Sequence, residues 1–336
     1  MTPRLSICIP TYNRAAYIGE TLRSALAQQT DEVEIVVCDN ASTDTTEAIV
    51  AEAFADRRNV RYFRWDRNMG ADRNFLKVIE QASGDYCWFM GSDDIVEPGA
   101  VAHLLATLDR VGRVTGMSLN RHAYNVDLSA RILERPVAGG RFARDQLFTD
   151  ASRTFVDLGE YFGYLPGQIV DRRRWNEIVE NTDLSPYFNA YVHVYVIGRM
   201  LQADPRWLYV SRPCAGWRSG NDSFLSEGRL KRIAIDVVGL GKITRDLFGA
   251  SSQPYRSMAR SVAGVHVFYA VLGAKVHGAS VGFLWRVLRM CFKAYWRVPT
   301  FWLRTLPMIL TPRPVLLLLR SAYQPTLKKA RLARLR

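Results

Sequence analysis

The sequence predicts an α/β protein in which a mostly parallel central sheet is followed by a helical, basic C-terminal extension. From Leu5 to Met90, short apolar runs alternate with segments whose apolar residues recur at helical spacing. Parallel sheets with helices on both faces are the usual packing for such alternation. After Asp246 the chain has no Asp or Glu, whereas 15 Lys and Arg residues lie between Arg256 and Arg336.

Each predicted strand is followed by polar residues. The strands are Leu5–Pro10, Val33–Cys38, Val60–Phe63 and Tyr86–Met90. Ligands of open parallel sheets bind at the carboxyl ends of the strands. We therefore expect the residues that follow the strands to line one cleft, namely Thr11–Asn13, Asp39, Asn68–Asn74 and Asp93-Asp94.

The adjacent carboxylates of Asp93 and Asp94 are the most informative of these groups, because two neighbouring anions repel each other. A site that keeps both ionised usually supplies a cation, and hard oxygen ligands suit Mg²⁺ or Mn²⁺. Alternatively, the pair begins the next helix, since Glu97-Pro98-Gly99 and an apolar helical pattern follow. The chain has no GxxxxGK[ST] phosphate loop. A metal ion would therefore hold the phosphates of a nucleotide-diphosphate donor.

Composition and apolar run lengths predict a cytoplasmic protein. The five cysteines form no CxxC pair, which is typical of reduced core thiols. The first ten residues predict a strand rather than a signal peptide. Apolar runs are interrupted by Lys275, Arg304 and Arg313 before they reach the roughly 18 residues of a spanning helix.

Four ordered segments carry a resemblance to a known family. They read LSICIPTYNRAAYIGETLRSALAQ, IVVCDNASTD, NMGADRN and GDYCWFMGSDDIVEPGAV. The chain resembles a family 2 glycosyltransferase of the GT-A fold, which is Rossmann-like with a mostly parallel central sheet. The GSDD form, the region around His193 and the segment GWRSGNDSF are similar to the bacterial abequosyltransferase-like branch, which builds surface polysaccharides such as O-antigen.

The resemblance implies a role for each matching position. Tyr12 would stack on the nucleotide base, and Asp39 would accept a hydrogen bond from the imide N–H of a pyrimidine. The alternatives are a plain loop tyrosine and an Asx turn. Asp93 would hold the ribose or the metal, and Asp94 the metal. The donor-binding set as a whole comprises Pro10, Thr11, Tyr12, Asn13, Asp39, Arg73, Asp93, Trp217 and Arg218.

The sequence departs from the family pattern in two places. Many relatives carry an acid where Gly91 stands, so fewer anionic metal ligands are expected here. Relatives usually present Glu-Asp where Val192-His193 stands. His193 is therefore the candidate general base, since a neutral imidazole can take the proton of an acceptor hydroxyl. A buried core histidine is the alternative, and Asp157 and Asp183 are substitute bases.

The segment from Gly216 to Phe224 resembles the lid that closes over the donor diphosphate in this family. Arg218 would stabilise the leaving nucleoside diphosphate, and the glycines would allow closure. An exposed loop is the alternative. We predict three regions: a nucleotide-sugar-binding half over residues 1–112, an acceptor-binding half over 113–226, and a helical, membrane-associating region over 227–336.

The C-terminal region contains one basic stripe at helical spacing, formed by Arg286, Arg289, Lys293 and Arg297. The apolar residues predicted opposite the stripe are Leu284, Leu288, Cys291, Phe292 and Tyr295. Such a helix is typical of attachment to an anionic membrane surface. Packing of the apolar face on the catalytic domain is one alternative. Nucleic-acid binding is another, but no nucleic-acid motif accompanies the charge, so no nucleic-acid partner is predicted.

The predicted function is an inverting, metal-dependent transfer of a sugar from a nucleotide-diphosphate donor to a hydroxyl of a lipid-linked bacterial glycan. The protein would lie peripherally on the cytoplasmic face of the cell membrane. Two alternatives stay open. A catalytically inactive membrane-surface protein would explain Gly91 and the missing Glu-Asp pair. A sugar-nucleotide pyrophosphorylase would need a glycine-rich N-terminal loop, which the PTYNR segment lacks. The sequence does not indicate the oligomeric state.

Overall fold

A ten-stranded mixed sheet organises the N-terminal part of the chain. The computed structural model describes residues 2–133, 142–221, 224 and 228–318, and strand and helix numbers refer to this part. The strands are β1 (Leu5–Thr11), β2 (Val33–Asp39), β3 (Val60–Arg64), β4 (Tyr86–Phe89), β5 (Ile95–Val96), β6 (Gly116–Tyr124), β7 (Arg131–Leu133), β8 (Gln146–Phe148), β9 (Gln168–Asp171) and β10 (Trp207–Arg218).

The strand order is β3-β2-β1-β4-β9-β6-β10-β5, with β7 on β6 and β8 on β10. The ladders β1/β2, β1/β4, β2/β3 and β6/β10 are parallel and are the longest, whereas the others are antiparallel. β1 and β2 are buried along their whole length. Their continuous apolar runs are what a sheet covered on both faces requires.

Helices follow the first three strands and continue through the chain. They are α1 (Ile18–Leu26), α2 (Thr46–Phe54), α3 (Ala71–Glu80), α4 (Ala100–Val111), α5 (Ala151–Leu158), α6 (Arg172–Glu180), α7 (Val192–Ala203), α8 (Arg229–Ala234), α9 (Gly241–Phe248), α10 (Gln253–Ser261), α11 (Phe268–Val276), α12 (Val281–Tyr295) and α13 (Leu306–Leu310). π-helical turns at Ile235–Leu240, Val262–Val267 and Phe301–Thr305 lead into α9, α11 and α13.

The chain divides into two compact units. The first contains Met1–Asp222 and Asp246–Phe248, and the second contains Ser223–Arg245 and Gly249–Arg336. Within the first unit, α1 and α4 cover one side of β1, β2 and β4 with residues of the main apolar cluster, including Leu22 and Leu104. The packed sheet therefore holds the strand ends, and the loops that follow them, in fixed positions.

Helix α12 of the second unit has three different faces. Val287, Cys291 and Tyr295 are buried in the unit. Trp285 and Phe292 are exposed, as are the four predicted cations. The predicted single apolar face is therefore divided: Cys291 and Tyr295 belong to the core, whereas Phe292 belongs to a separate exposed stripe. Among the described residues, no helix is both long and apolar enough to span a bilayer.

Candidate active site

Asp94 is the most constrained carboxylate in the loop that follows β4. Only 4% of it is exposed, and its Oδ1 accepts a hydrogen bond from the backbone N–H of Arg218 at 2.8 Å. The Tyr164 hydroxyl lies 3.4 Å from Oδ2. The Thr21 hydroxyl donates to the Asp94 carbonyl at 2.7 Å. Burial raises the pKa of the Asp94 carboxyl well above its ordinary value, and the neighbouring charge of Asp93 raises it further.

Asp93 and Asp94 face the same space above Gly91. A Cβ atom built on Gly91 would lie 2.9 Å from Asp94 Oδ2 and 3.0 Å from Asp93 Oδ1. An acidic side chain at this position, as in many relatives, would crowd both carboxylates in this arrangement. Asp93 Oδ2 accepts a hydrogen bond from the Asn221 amide at 2.7 Å, and the Arg14 guanidinium lies 3.7 Å away.

These two carboxylates fit a single Mg²⁺ or Mn²⁺ ion. They supply hard oxygen atoms around a space that a methyl group would fill. A cation there would also favour the ionised form of Asp94, which burial and Asp93 disfavour. Within the described part of the chain, no group of three or more His, Cys, Asp or Glu residues could hold a metal. The remaining ligands would come from a bound diphosphate and from water.

The guanidinium of Arg218, which the sequence predicts to contact the leaving group, is bonded to protein groups in this structure. Arg218 is 2% exposed, and its Nε donates to the Asp93 carbonyl at 2.7 Å. Its terminal nitrogens donate to the Val126 carbonyl and to the Glu20 carboxylate. The guanidinium carbon also lies 5.0 Å from the centre of the Tyr17 ring. In this conformation Arg218 fixes the loop that carries Asp93 rather than facing a ligand.

Asp39 is buried completely and its carboxylate holds the loop after β2. Its Oδ1 accepts hydrogen bonds from the backbone N–H of Ser42 at 2.8 Å and from the Ser42 hydroxyl at 2.6 Å. Its Oδ2 accepts from the Tyr62 hydroxyl at 2.8 Å. This is the Asx-turn alternative noted from the sequence. A contact between Asp39 and a pyrimidine would require this loop to move.

The loop after β1 places its residues in different surroundings. Pro10 and Thr11 are buried in the strand, and Tyr12 is 42% exposed. Asn13 has a left-handed backbone with φ of 52°. Its side-chain carbonyl accepts the Thr43 backbone N–H at 2.8 Å, which ties this loop to the loop after β2. Tyr12 is therefore the aromatic side chain of this loop that a base could reach.

The segment that begins α3 contributes structural contacts. Asp72 is buried, and its carboxylate accepts the backbone N–H groups of Ala190 and Val192 at 2.8 and 3.0 Å. It therefore caps the N-terminus of α7 from a helix that is distant in sequence. Arg73 is exposed and its guanidinium lies 5.1 Å from the centre of the Phe188 ring.

His193, the candidate general base from the sequence, lies in an apolar enclosure. The residue has no exposed surface, and the rings of Phe75, Phe89 and Tyr191 surround it at centroid distances of 5.5, 6.2 and 6.0 Å. Burial lowers the pKa of the imidazole to about 3, and the backbone of Phe162 offsets this only partly. The observed setting is that of the core-histidine alternative.

The substitute bases also have structural partners. Asp157 on α5 is buried and pairs with Arg153. Asp183 accepts the Ser185 backbone N–H at 2.9 Å, and this bond lowers the pKa of its carboxyl. In the predicted lid, residues 222–223 lie outside the described residues.

Sequence reasoning missed three side chains of the site. Arg14 and Tyr164 approach the acidic pair as described above. The third is Arg121 on β6, whose guanidinium carbon lies 4.0 Å from the centre of the Tyr164 ring and 5.0 Å from that of the partly exposed Trp217. Arg14 lies within the first family segment, directly after the donor-binding residues Pro10–Asn13, so the sequence could have indicated it. Arg121 stands in no motif, and only the pairing of β6 with β10 reveals its position.

The comparison with known sequences decides the family. Residues 6–165 match the profile of glycosyl transferase family 2. The abequosyltransferase RfbV of Salmonella typhimurium is 33% identical over 257 residues, which cover 73% of this chain and 75% of that protein. The chain belongs to glycosyltransferase family 2. Within the family it falls in the abequosyltransferase-like branch, as the sequence motifs predicted.

A second relative is the GalNAc(5)-diNAcBac-PP-undecaprenol beta-1,3-glucosyltransferase of Campylobacter jejuni. It is 26% identical over 193 residues, which cover 56% of this chain and 60% of that protein. Polysaccharide biosynthesis, which was predicted for this chain, is supported by the relationship to the abequosyltransferase.

Two solved structures confirm the predicted GT-A fold. S. aureus TarS 1-349 in complex with UDP-GlcNAc superposes with a TM-score of 0.61 at 16% identity, over 89% of this chain and 83% of that one. The mannosyltransferase PcManGT of Pyrobaculum calidifontis, in complex with GDP-Man and Mn²⁺, gives a TM-score of 0.55 at 15% identity, over 92% and 86%.

Proposed function

We propose that this glycosyltransferase moves a sugar from a nucleotide-diphosphate donor to a hydroxyl of a lipid-linked bacterial glycan, with inversion at the anomeric carbon. The observation that carries the proposal is the pair of carboxylates above Gly91 at the end of β4. The relatives support it, since one is named for an undecaprenol-linked acceptor and structural neighbours hold UDP-GlcNAc or UDP. A pyrimidine nucleotide is the favoured donor.

Asp93 and Asp94 are the residues that would hold Mg²⁺ or Mn²⁺ in this reaction. The ion supplies Lewis-acid stabilisation of the departing diphosphate. Hydrogen bonds from the Arg218 backbone and from Asn221 orient the two carboxylates before any ligand arrives. Such preorganisation removes the cost of arranging the ligands during the reaction.

Tyr12 is proposed to stack against the nucleotide base, because it is the exposed aromatic residue of the β1 loop. Trp217 and Arg73 border the same donor site in this proposal. Proton removal from the acceptor hydroxyl falls to His193 only if the ring leaves its aromatic enclosure. Asp39 would contact the base only after the Ser42 loop opens.

An anionic membrane surface is the proposed location of the enzyme. The exposed aromatic stripe of α12 supports this, because Trp285, Phe292 and Trp296 recur on one side of the helix. Trp302 continues the stripe: its indole N–H donates to the Trp296 carbonyl at 2.8 Å, and its ring centre lies 6.1 Å from that of Phe292. Together with Leu303 these residues form what we call the aromatic patch. Aromatic side chains of this kind lie at bilayer interfaces.

The experiment that tests the donor site is a thermal-shift titration of the full chain with UDP, CDP, GDP and dTDP, each with and without Mn²⁺. We expect one pyrimidine diphosphate to raise the melting temperature in a Mn²⁺-dependent manner, because a ligand of the folded state stabilises it. Asp94→Asn should abolish the metal-dependent part. If no nucleotide shifts the wild-type protein, the transferase proposal fails and the inactive membrane-surface alternative is favoured.

A further inference from the structure

Arg121 is held by aromatic rings rather than by hydrogen bonds. Besides Tyr164 and Trp217, the ring of Tyr161 lies near, with its centre 5.4 Å from the guanidinium carbon. Tyr161 begins one short helical turn, and Tyr164 lies between that turn and the next. Trp217 lies on β10 beside β6. Three aromatic faces around one cation fix its position through cation–π attraction. We call this arrangement the arginine cage.

The hydrogen-bonding capacity of Arg121 is unused within the protein. Among the described residues, none of its side-chain N–H groups donates a hydrogen bond, and no carboxylate pairs with it. Arg218, which lies close by, uses all of its nitrogens. A guanidinium presents five donors in a planar fork that matches phosphate oxygens. A partly buried cation with free donors is a site for an anion.

The arginine cage adjoins the acidic pair through Tyr164. The Tyr164 hydroxyl, whose ring stacks on Arg121, lies 3.4 Å from Asp94 Oδ2. Arg121 is therefore near enough to a group bound at Asp94 to share it.

We propose that Arg121 binds the diphosphate of the nucleotide-sugar donor and stabilises the charge on the leaving nucleoside diphosphate. This inference rests on the proposed function. In the transfer, the bond between the anomeric carbon and the diphosphate oxygen breaks, and its electron pair stays on that oxygen. The acceptor oxygen bonds to the anomeric carbon and its proton passes to a base. Arg121 takes the leaving-group role that the sequence had suggested for Arg218.

The test compares diphosphates with the matching monophosphates, because only the diphosphate carries the group that leaves. UDP, CDP and dTDP, with UMP, CMP and dTMP, are titrated calorimetrically into the full-length protein in the presence of Mn²⁺. We expect Arg121→Gln to weaken binding of the preferred diphosphate by about tenfold or more, since hydrogen bonds to charged groups are strong. The affinity for the monophosphate of the same nucleoside should change little.

Two further variants control for folding and for charge. Arg121→Lys keeps the cation in the arginine cage but loses the planar fork, so we expect an intermediate loss of affinity for the diphosphate. This variant tests the inference if Arg121→Gln folds poorly. Arg212→Gln removes an exposed arginine of the neighbouring strand β10, whose side chain contacts the Pro98 carbonyl at 3.3 Å. It should bind every nucleotide like the wild type.

The outcomes separate this inference from the proposed function. Wild-type protein that binds a diphosphate, together with an Arg121→Gln variant that binds it equally well, overturns the role of Arg121 and leaves the transferase proposal intact. Equal losses of affinity for the diphosphate and the monophosphate also overturn it, because they would indicate a distorted nucleotide pocket and not a lost contact with the diphosphate. Wild-type protein that binds no nucleotide overturns both.

Discussion

At the scale of single residues, the acidic pair explains both what the protein shares with its family and where it differs. Asp93 and Asp94 are aimed at one space because Gly91 has no side chain to fill it. The neighbouring backbone of Arg218 holds Asp94 in place. The site therefore keeps two carboxylates and dispenses with the third acid of many relatives. Binding of the proposed metal ion should depend strongly on each of the two carboxylates.

The first prediction concerns Asp94→Asn, which removes the charge but keeps an oxygen that can accept the Arg218 N–H. We expect kcat to fall by roughly 10²-fold or more, because metal stabilisation of a leaving group is worth several kcal/mol. The melting temperature without ligand should not fall. Asp85→Asn, an exposed carboxylate at the other end of β4, is the matched control. Activity near the wild-type level in Asp94→Asn would contradict the assignment.

The second prediction concerns His193→Leu, which replaces an enclosed imidazole with an apolar side chain. The pKa of His193 is about 3 in the folded protein and about 6.5 in the unfolded chain. The unfolded chain therefore binds the proton first, and stability is lost as the pH falls from about 6.5 towards 3. Between pH 7 and pH 5 the wild type should lose about 2 kcal/mol of unfolding free energy that the variant keeps.

Urea denaturation at both pH values measures this difference, and a transferase assay on the same variant tests the catalytic role. A general base contributes roughly 10²-fold or more to the rate. We expect His193→Leu to retain kcat/KM within about threefold, because the ring does not reach solvent in the structure. A loss of roughly 10²-fold with an unchanged fold would identify His193 as the base.

At the scale of elements, local patterns predicted the strands but not the contacts between distant ones. β1 to β4 begin at the predicted residues and end within one residue of the predicted ends. For β1, β2 and β4 the reason is an apolar run bounded by polar residues. The hydrogen bond from Arg218 to Asp94 joins residues 124 apart in sequence. No periodicity encodes such a pairing. For this reason the direction of the Arg218 side chain and the arginine cage were found only in the structure.

The contact between α3 and α7 is an element-scale feature that can be tested. Asp72→Ala removes the acceptor of two buried backbone N–H groups at the start of α7. We expect the unfolding free energy to fall by about 1–3 kcal/mol, because unsatisfied buried donors are costly. Glu80→Ala, at the exposed end of the same helix, removes an acid without a buried partner and is the control. Equal stability of the two variants would contradict the capping role.

At the scale of the whole molecule, charge is distributed unevenly along the chain. The formal net charge is +13, yet every acidic residue lies at or before Asp246. In the second unit the cations of α12 are exposed beside the aromatic patch, and the Arg297 guanidinium lies 4.5 Å from the centre of the Trp296 ring. Apolar rings and cations that share one surface are complementary to an anionic bilayer, which accepts both.

The last prediction therefore concerns binding to vesicles of phosphatidylcholine with or without phosphatidylglycerol. The wild type should bind the anionic vesicles more tightly, and added salt should weaken this preference because it screens the charges. Arg289→Gln/Lys293→Gln should lower the affinity for anionic vesicles by roughly 30-fold, since each cation near the surface contributes about 1 kcal/mol. Arg57→Gln/Arg58→Gln, an exposed pair in the first unit, removes the same charge and should bind like the wild type.

Trp285→Ala/Trp302→Ala should weaken binding to both kinds of vesicle, because it removes apolar side chains that would enter the bilayer interface and leaves the charge unchanged. If the Arg289→Gln/Lys293→Gln and Trp285→Ala/Trp302→Ala variants both bind as well as the wild type, the cations of α12 and the aromatic patch do not form the membrane-binding surface.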